Sequence, residues 1–187
     1  MHQIEIPLSK LKLAKFLFFS VIFFVIGIWM IVADPQVSNP VFNNFIVKNI
    51  GAYGSLLMGV FGIYFFSSRL FEKKPGLILN DSGIIDSMTI FKFGLIPWSD
   101  IVGIYDTDVR TSMASKERFV TIGLAHPQKY IVRESNRFKR KILEANAKTF
   151  GSPIHISTNG LKIKHPELLA LIRSEFEKRN NPSGRMD

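Results

Sequence analysis

Asp106 and Asp108 are the residues whose type and spacing come nearest to a chemical site. Side chains two apart on a strand share a face, and paired carboxylates can exchange protons or hold a metal. No third ligand follows at a supporting spacing, and Asp108 borders a polar loop, so the pair reads as a solvated strand end. His126 and His165 each precede a proline at an expected helix start, His155 falls in an expected strand, and His2 is in a loose chain start. Their separations match no zinc motif. The chain has no Cys, which removes thiol nucleophiles, disulfides and Cys-type zinc sites. Ser and Thr are scattered without a G-x-S-x-G elbow, and there is no Walker-type phosphate loop. These residues predict no catalytic site, no metal and no cofactor, and so a non-enzymatic protein.

Basic residues offer a different chemistry. From His126-Pro127 onward the pattern is helical, with Ile131, Phe138, Ile142 and Ala145 on one side of the wheel. Arg133, Arg137, Arg140, Lys141 and Lys148 fall on the other, interrupted by Glu134 and Glu144. A basic face of this kind suits anionic lipid or phosphate, the alternative being a solvated face that keeps the domain soluble. Residues 75–187 hold seventeen basic and twelve acidic residues, and aromatics do not interleave with the stripe. Nucleic acid is therefore not an expected partner.

The elements that must carry these residues begin with two apolar runs. Phe16 to Ala33 is an uncharged stretch of 18 residues between Lys15 and Asp34. As a helix it covers about 27 Å, close to the hydrocarbon thickness of a bilayer. A second uncharged stretch runs from Asn49 to Ser68, between Lys48 and Arg69. Both read as membrane spans, since a buried soluble helix usually keeps a polar stripe and the first run has only Ser20 and Gly27. That run is also too long for a signal-peptide core, and Ile31 is large for a position three before a cleavage site. Lys10, Lys12 and Lys15 precede the first span, and Arg69, Lys73 and Lys74 follow the second. The connecting loop has one acid and one base. Basic flanks favour the cytoplasm, so both termini are expected inside. Gly51, Ser55 and Gly59 recur every four residues on the second span. They predict a helix-packing face, directed at the first span in preference to another subunit.

After Pro75-Gly76 the period changes to that of strands. LILN, IIDSMTI, FKFGLIPW, IVGIYDTDV (101–109), RFVTIGLA (118–125) and GSPIHIS give about six strands. Gly83 is expected to supply a positive-φ turn position, and Gly94 a bulge or bend. Trp98 is expected to pack at a strand end while Asp100 stabilises the next turn. The last helix, Pro166 to about Arg179, presents Leu168, Leu169, Ile172 and Phe176 to a core, and the tail from residue 180 should fray. The predicted organisation is an N-terminal segment (1–15), a transmembrane hairpin (16–74), a domain (75–179) and a tail (180–187). The fold class is α+β, a β-sandwich or partly open barrel with an inserted helix and a C-terminal capping helix.

The order of two spans, LILNDSGIID, GLIPWSDI and a C-terminal helix resembles uncharacterised bacterial two-span membrane proteins with a C-terminal pleckstrin-homology-like (PH-like) domain. Asn80–Asp86 with Gly83, and Ile96–Ile101 with Trp98 and Asp100, carry most of the likeness. HPQKYI (126–131) and GSPIHI (151–156) add to it. The resemblance implies a seven-stranded or near seven-stranded PH-like sandwich capped by a helix, in a bacterial inner membrane, with no assigned reaction. The expected role is binding or scaffolding, with the lipid bilayer or a membrane protein as partner. An accessory subunit of a membrane complex, assembled through helix packing, is the alternative. An enzyme acting on a lipid or phosphate ester is the weaker one.

Overall fold

The computed structural model describes residues 3–91, 93–110 and 116–180. It divides into two compact units, residues 9–73 and a second made of residues up to 8 joined with those from 74 onward. Residues 181–187 of the expected fraying tail, most of the loop after Val109 and His2 lie outside the described residues.

The first unit is a helical hairpin. Helix α1 spans Lys10–Ala33 and helix α2 spans Phe45–Leu70. Both are long and apolar enough to cross a membrane. They extend beyond the uncharged runs because caps lie outside those runs. Ser9 accepts a hydrogen bond from Lys12 N, and Asn44 accepts from Ile46 N and Val47 N. The buried residues are Leu13, Ser20 and Gly27 on α1, and Ala52, Gly59 and Gly62 on α2. Phe18, Phe19, Val25, Trp29, Leu57 and Phe61 are exposed. This arrangement inverts that of a water-soluble hairpin, with small residues inside and large apolar ones outside.

The second unit is α+β with two antiparallel sheets. Strands β1 (Gln3–Ile6), β2 (Leu77–Asn80), β3 (Gly83–Asp86) and β4 (Leu95–Pro97) form one sheet in that order. Strands β5 (Ile101–Arg110), β6 (Lys116–Leu124) and β7 (His155–Ser157) form the other. The sheets do not close into a barrel. Helices α3 (Pro127–Arg133) and α4 (Arg137–Phe150) fall between β6 and β7, and α5 (His165–Asn180) ends the described chain.

Strand β1 departs from the expectation of a separate N-terminal segment over residues 1–15. It pairs with β2, Gln3 opposite Asn80 and Ile6 opposite Leu77, so it completes seven strands among the described residues. Ile6 is 3% exposed, Leu8 bridges to Leu161, and Lys162 N donates to the Pro7 carbonyl at 2.9 Å. The segment before α1 is thereby tied to β2 and to the turn before α5 by backbone bonds. Leu77, Leu79, Ile84, Ile96, Val120, Ile122, Ile156, Leu168 and Ile172, none more than 1% exposed, build the core.

The single basic helix expected after His126 is two helices. Asn136 caps a new start, accepting from Phe138 N and Lys139 N at 3.0 and 3.1 Å. The wheel that joined Ile131 to Phe138 therefore does not exist, and Phe138 is exposed while Leu143 is the buried residue of α4. Gly83 has the expected positive φ, +159°, at the start of β3, and a Cβ there would also fall on the Ile96 carbonyl of the neighbouring strand. Glycine is needed for close strand approach, whereas Gly94 (φ +69°) and Gly151 (φ +76°) occupy left-handed bends.

Candidate functional site

Splitting the helix redistributes the five basic residues. Arg133 ends α3 with its guanidinium 5.3 Å over the Tyr130 ring. Arg140 turns back on the interhelical turn, its Nε and Nη2 donating to the Glu134 carbonyl at 3.1 and 2.8 Å. Arg137, Lys141 and Lys148 are exposed along α4. Lys139, absent from the expected stripe, donates from Nζ to the Ile90 carbonyl at 2.8 Å and fixes the start of α4 beside the β3–β4 loop. The basic residues thus do not form one continuous face. Arg133 belongs with Tyr130, Arg140 acts as a cap, and Arg137 and Lys141 remain on an open helix start.

Tyr130 leads to the predicted structural pair Trp98 and Asp100. Asp100 Oδ2 accepts from the Tyr130 hydroxyl and from Lys129 Nζ, each at 2.6 Å. Those two hydrogen bonds hold the Asp100 carboxyl below its usual range, against the smaller opposing effect of burial. The Tyr130 phenol is pushed up, first by burial and then by the adjacent carboxylate. Trp98 Nε1 donates to the Asn80 carbonyl at 2.8 Å, and the Arg179 guanidinium sits 4.8 Å over the ring. Arg179 also pairs with Glu175, 2% exposed, at 2.5 Å. Burial opposes ionisation of Glu175, but Lys178 and Arg179 outweigh it and depress its pKa. Trp98 and Asp100 therefore join the strand ends to α3 and α5.

Asp106 and Asp108 share Arg118 as a partner, Arg118 lying directly opposite Asp108 in the β5–β6 register. Asp106 also meets His165 Nε2 at 2.8 Å. Burial raises the Asp106 pKa, but hydrogen bonds from Arg118 and His165 give a net lowering. The strand-end carboxylates are thus joined to α5, a link hidden in sequence because His165 is 59 positions from Asp106. On the other face of the sheet, the Thr121 hydroxyl donates to Thr107 Oγ1 at 2.7 Å and lies 2.8 Å from His155 Nδ1. Burial holds His155 below its ordinary value, partly offset by the Ser152 backbone.

A cleft of about 360 Å³ lies beside this chain of hydroxyls, between Tyr105, Thr121 and Gly123 on one side and Phe150, Gly151 and Ser152 on the other. Its hydroxyls at Thr121 and Ser152 are committed, the latter donating to the Ile122 carbonyl at 2.5 Å. Thr121 is 1% exposed although it lies in the wall of this cleft. Among the described residues no group of three or more His, Asp or Glu side chains is arranged to hold a metal.

In the hairpin, the expected packing residues meet α1 unevenly. A Cβ on Gly59 would lie 2.6 Å from Phe24 N, and one on Gly27 would lie 2.7 Å from Leu56 N. Gly51 approaches only the Met30 side chain, at an ordinary 3.5 Å, and Ser55 is half-buried. Ala52, Gly59 and Gly62 carry the seam, facing Ser20 and Gly27. Leu13, Ser20 and Gly27 recur every seven residues, so they lie along one face of α1. At one end Lys10 Nζ donates to the Leu70 and Glu72 carbonyls and neutralises the negative end of α2. At the other, Lys48 pairs with Asp34 at 2.5 Å, so the two loop charges cancel.

The chain matches no family model, and neither a curated protein nor a solved structure shows significant similarity to it.

Proposed function

We propose that the chain is a two-span protein of a bacterial inner membrane, with both termini in the cytoplasm, whose α+β unit is a non-catalytic PH-like binding or scaffolding module. The pairing of β1 with β2 is the observation that carries this reading. Segments on either side of the hairpin belong to one sheet, so a hairpin that crosses a bilayer must return to the side it left. The outward apolar side chains and inward small residues of α1 and α2 support insertion in lipid. The basic flanks support a cytoplasmic placement for the sheet-bearing unit.

The PH-like reading draws support from seven antiparallel strands in sheets of four and three, followed by a C-terminal helix. The committed hydroxyls and ion-paired carboxylates favour binding over catalysis. Alkaline carbonate washing of native membranes tests the insertion. The chain should stay in the pellet and leave it only with detergent; release by carbonate contradicts the reading. Capture from gently solubilised membranes then tests the module. Variants at exposed positions of the α+β unit should lose partners that hairpin variants keep, and the opposite pattern favours assembly through helix packing.

A further inference from the structure

A slot of about 390 Å³ opens where the two helices of the hairpin meet their connecting loop. Its volume falls in the range of small-molecule sites. Asp34 and Gln36 line it from the loop, and Met30 and Tyr53 line it from the helices. Met30 lies three residues before the end of α1, and Tyr53 eight residues after the start of α2. At about 1.5 Å of rise per residue, the slot therefore reaches about 5 to 12 Å into the apolar helices. It is polar toward the loop and apolar along Met30, Ile31 and Tyr53.

The polar part carries one cation and one anion, held side by side. Lys48 Nζ lies 2.5 Å from Asp34 Oδ1, although the Lys48 side chain is only 14% exposed. Gln36 Nε2 donates to Asp34 Oδ2 and to the Asp34 carbonyl, each at 3.2 Å. Asn49, the other amide of the α2 wall, is spent on the Phe45 carbonyl. An ammonium has three N–H donors, and Asp34 is the one ion-pair partner of Lys48 among the described residues, so donors remain for a further acceptor. The Asp34 side chain is 71% exposed and keeps lone pairs for a further donor.

Such a pair selects by charge. A lone anion brought to Lys48 also meets Asp34, and a lone cation brought to Asp34 also meets Lys48. A zwitterion satisfies both, its anion accepting from Lys48 and its cation donating to Asp34. The apolar depth of the slot asks in addition for a hydrocarbon part. A phospholipid whose headgroup joins a phosphate to a primary ammonium supplies all three.

We propose that this slot binds phosphatidylethanolamine, with the phosphate at Lys48, the ammonium at Asp34 and an acyl chain against Met30 and Tyr53. The inference rests on the two-span reading, which sets the loop end of the hairpin at the headgroup layer of a bilayer. A choline headgroup has the same charges but no N–H to give to Asp34, and a glycerol headgroup has no cation.

The test uses the full chain, purified in a mild detergent and stripped of native lipid. It is offered phosphatidylethanolamine, phosphatidylcholine or phosphatidylglycerol with identical acyl chains, and native mass spectrometry reads the lipid retained. The ethanolamine lipid should be retained several-fold more than the other two. Asp34→Asn should bring it down to the level of the choline lipid, and Lys48→Gln should lower retention of both zwitterionic lipids. Lys73→Gln, beyond the other end of α2, should change nothing. Equal retention of the three lipids by the unaltered chain overturns the proposal, and this comparison needs no variant to fold. An ethanolamine preference that persists in both Asp34→Asn and Lys48→Gln overturns the slot as its site. Displacement of the lipid by an equal concentration of free phosphoethanolamine overturns the lipid assignment and points to a soluble zwitterion. Release of the chain from native membranes by carbonate contradicts the two-span reading instead.

Discussion

Ile6 stands opposite Leu77 in an antiparallel pair, although both long apolar helices lie between them in the chain. The pairing makes the hairpin an insertion within a folded unit, closed at its base by the Gly76 N bond to the Ile6 carbonyl at 2.9 Å. A unit built this way keeps both flanks of the hairpin on one side of any membrane the hairpin crosses.

The first prediction concerns that closure. Ile6→Ala removes a side chain that is 3% exposed and should destabilise the α+β unit by about 2 to 4 kcal/mol. Hydrogen-exchange mass spectrometry should show faster exchange in peptides covering residues 77–86, with α1 and α2 unchanged. Unchanged exchange in 77–86 contradicts a structural role for β1.

The second concerns the seam of the hairpin. Gly59→Val and Gly27→Val place atoms against the backbones of Phe24 and Leu56 and should each cost about 1 to 3 kcal/mol in detergent-solubilised stability. A Cβ on Gly54 meets nothing within 4 Å, so Gly54→Ala should be neutral or stabilising by up to about 1 kcal/mol. Equal effects at the three positions contradict the seam.

The third concerns pH. Burial keeps His155 below its ordinary value of 6.5, so the unfolded chain binds a proton at this site more readily than the folded one. The associated stability is present above about pH 6.5 and is lost as pH falls toward the folded value. Thermal unfolding followed across pH 7.5 to 5.5, a window about one unit either side of that value, should show this loss. In His155→Gln the slope should flatten over the same range. An unchanged slope in the variant contradicts the assignment.

Legibility in the sequence followed the range of the interactions. The two long apolar helices were readable because uncharged length is a local property, and Gly94 and Trp98 because bends and strand-end aromatics are local too. Strand β1 was not, since the alternation of Gln3, Ile4, Glu5 and Ile6 is only four residues long and its partner lies beyond the hairpin. A helical wheel drawn through Glu134–Asn136 concealed the cap at Asn136, which broke the basic stripe and released Phe138 from the core side to the surface. Gly51 and Ser55 were singled out by spacing alone. The tightest approach also depended on Gly27 and on Gly62, which continues the face three residues beyond Gly59. His165 and Asp106 show the same limit, meeting only because α5 returns to β5.

The most direct test labels single cysteines at Gln3, Val41 and Ser82 in intact cells with a membrane-impermeant maleimide, in a chain that has no Cys of its own. Val41→Cys, in the loop between the helices, should react at once, and Gln3→Cys and Ser82→Cys only after the membrane is opened. Reaction of Gln3→Cys and Ser82→Cys on opposite sides of the membrane contradicts the account, because β1 and β2 cannot then share a sheet.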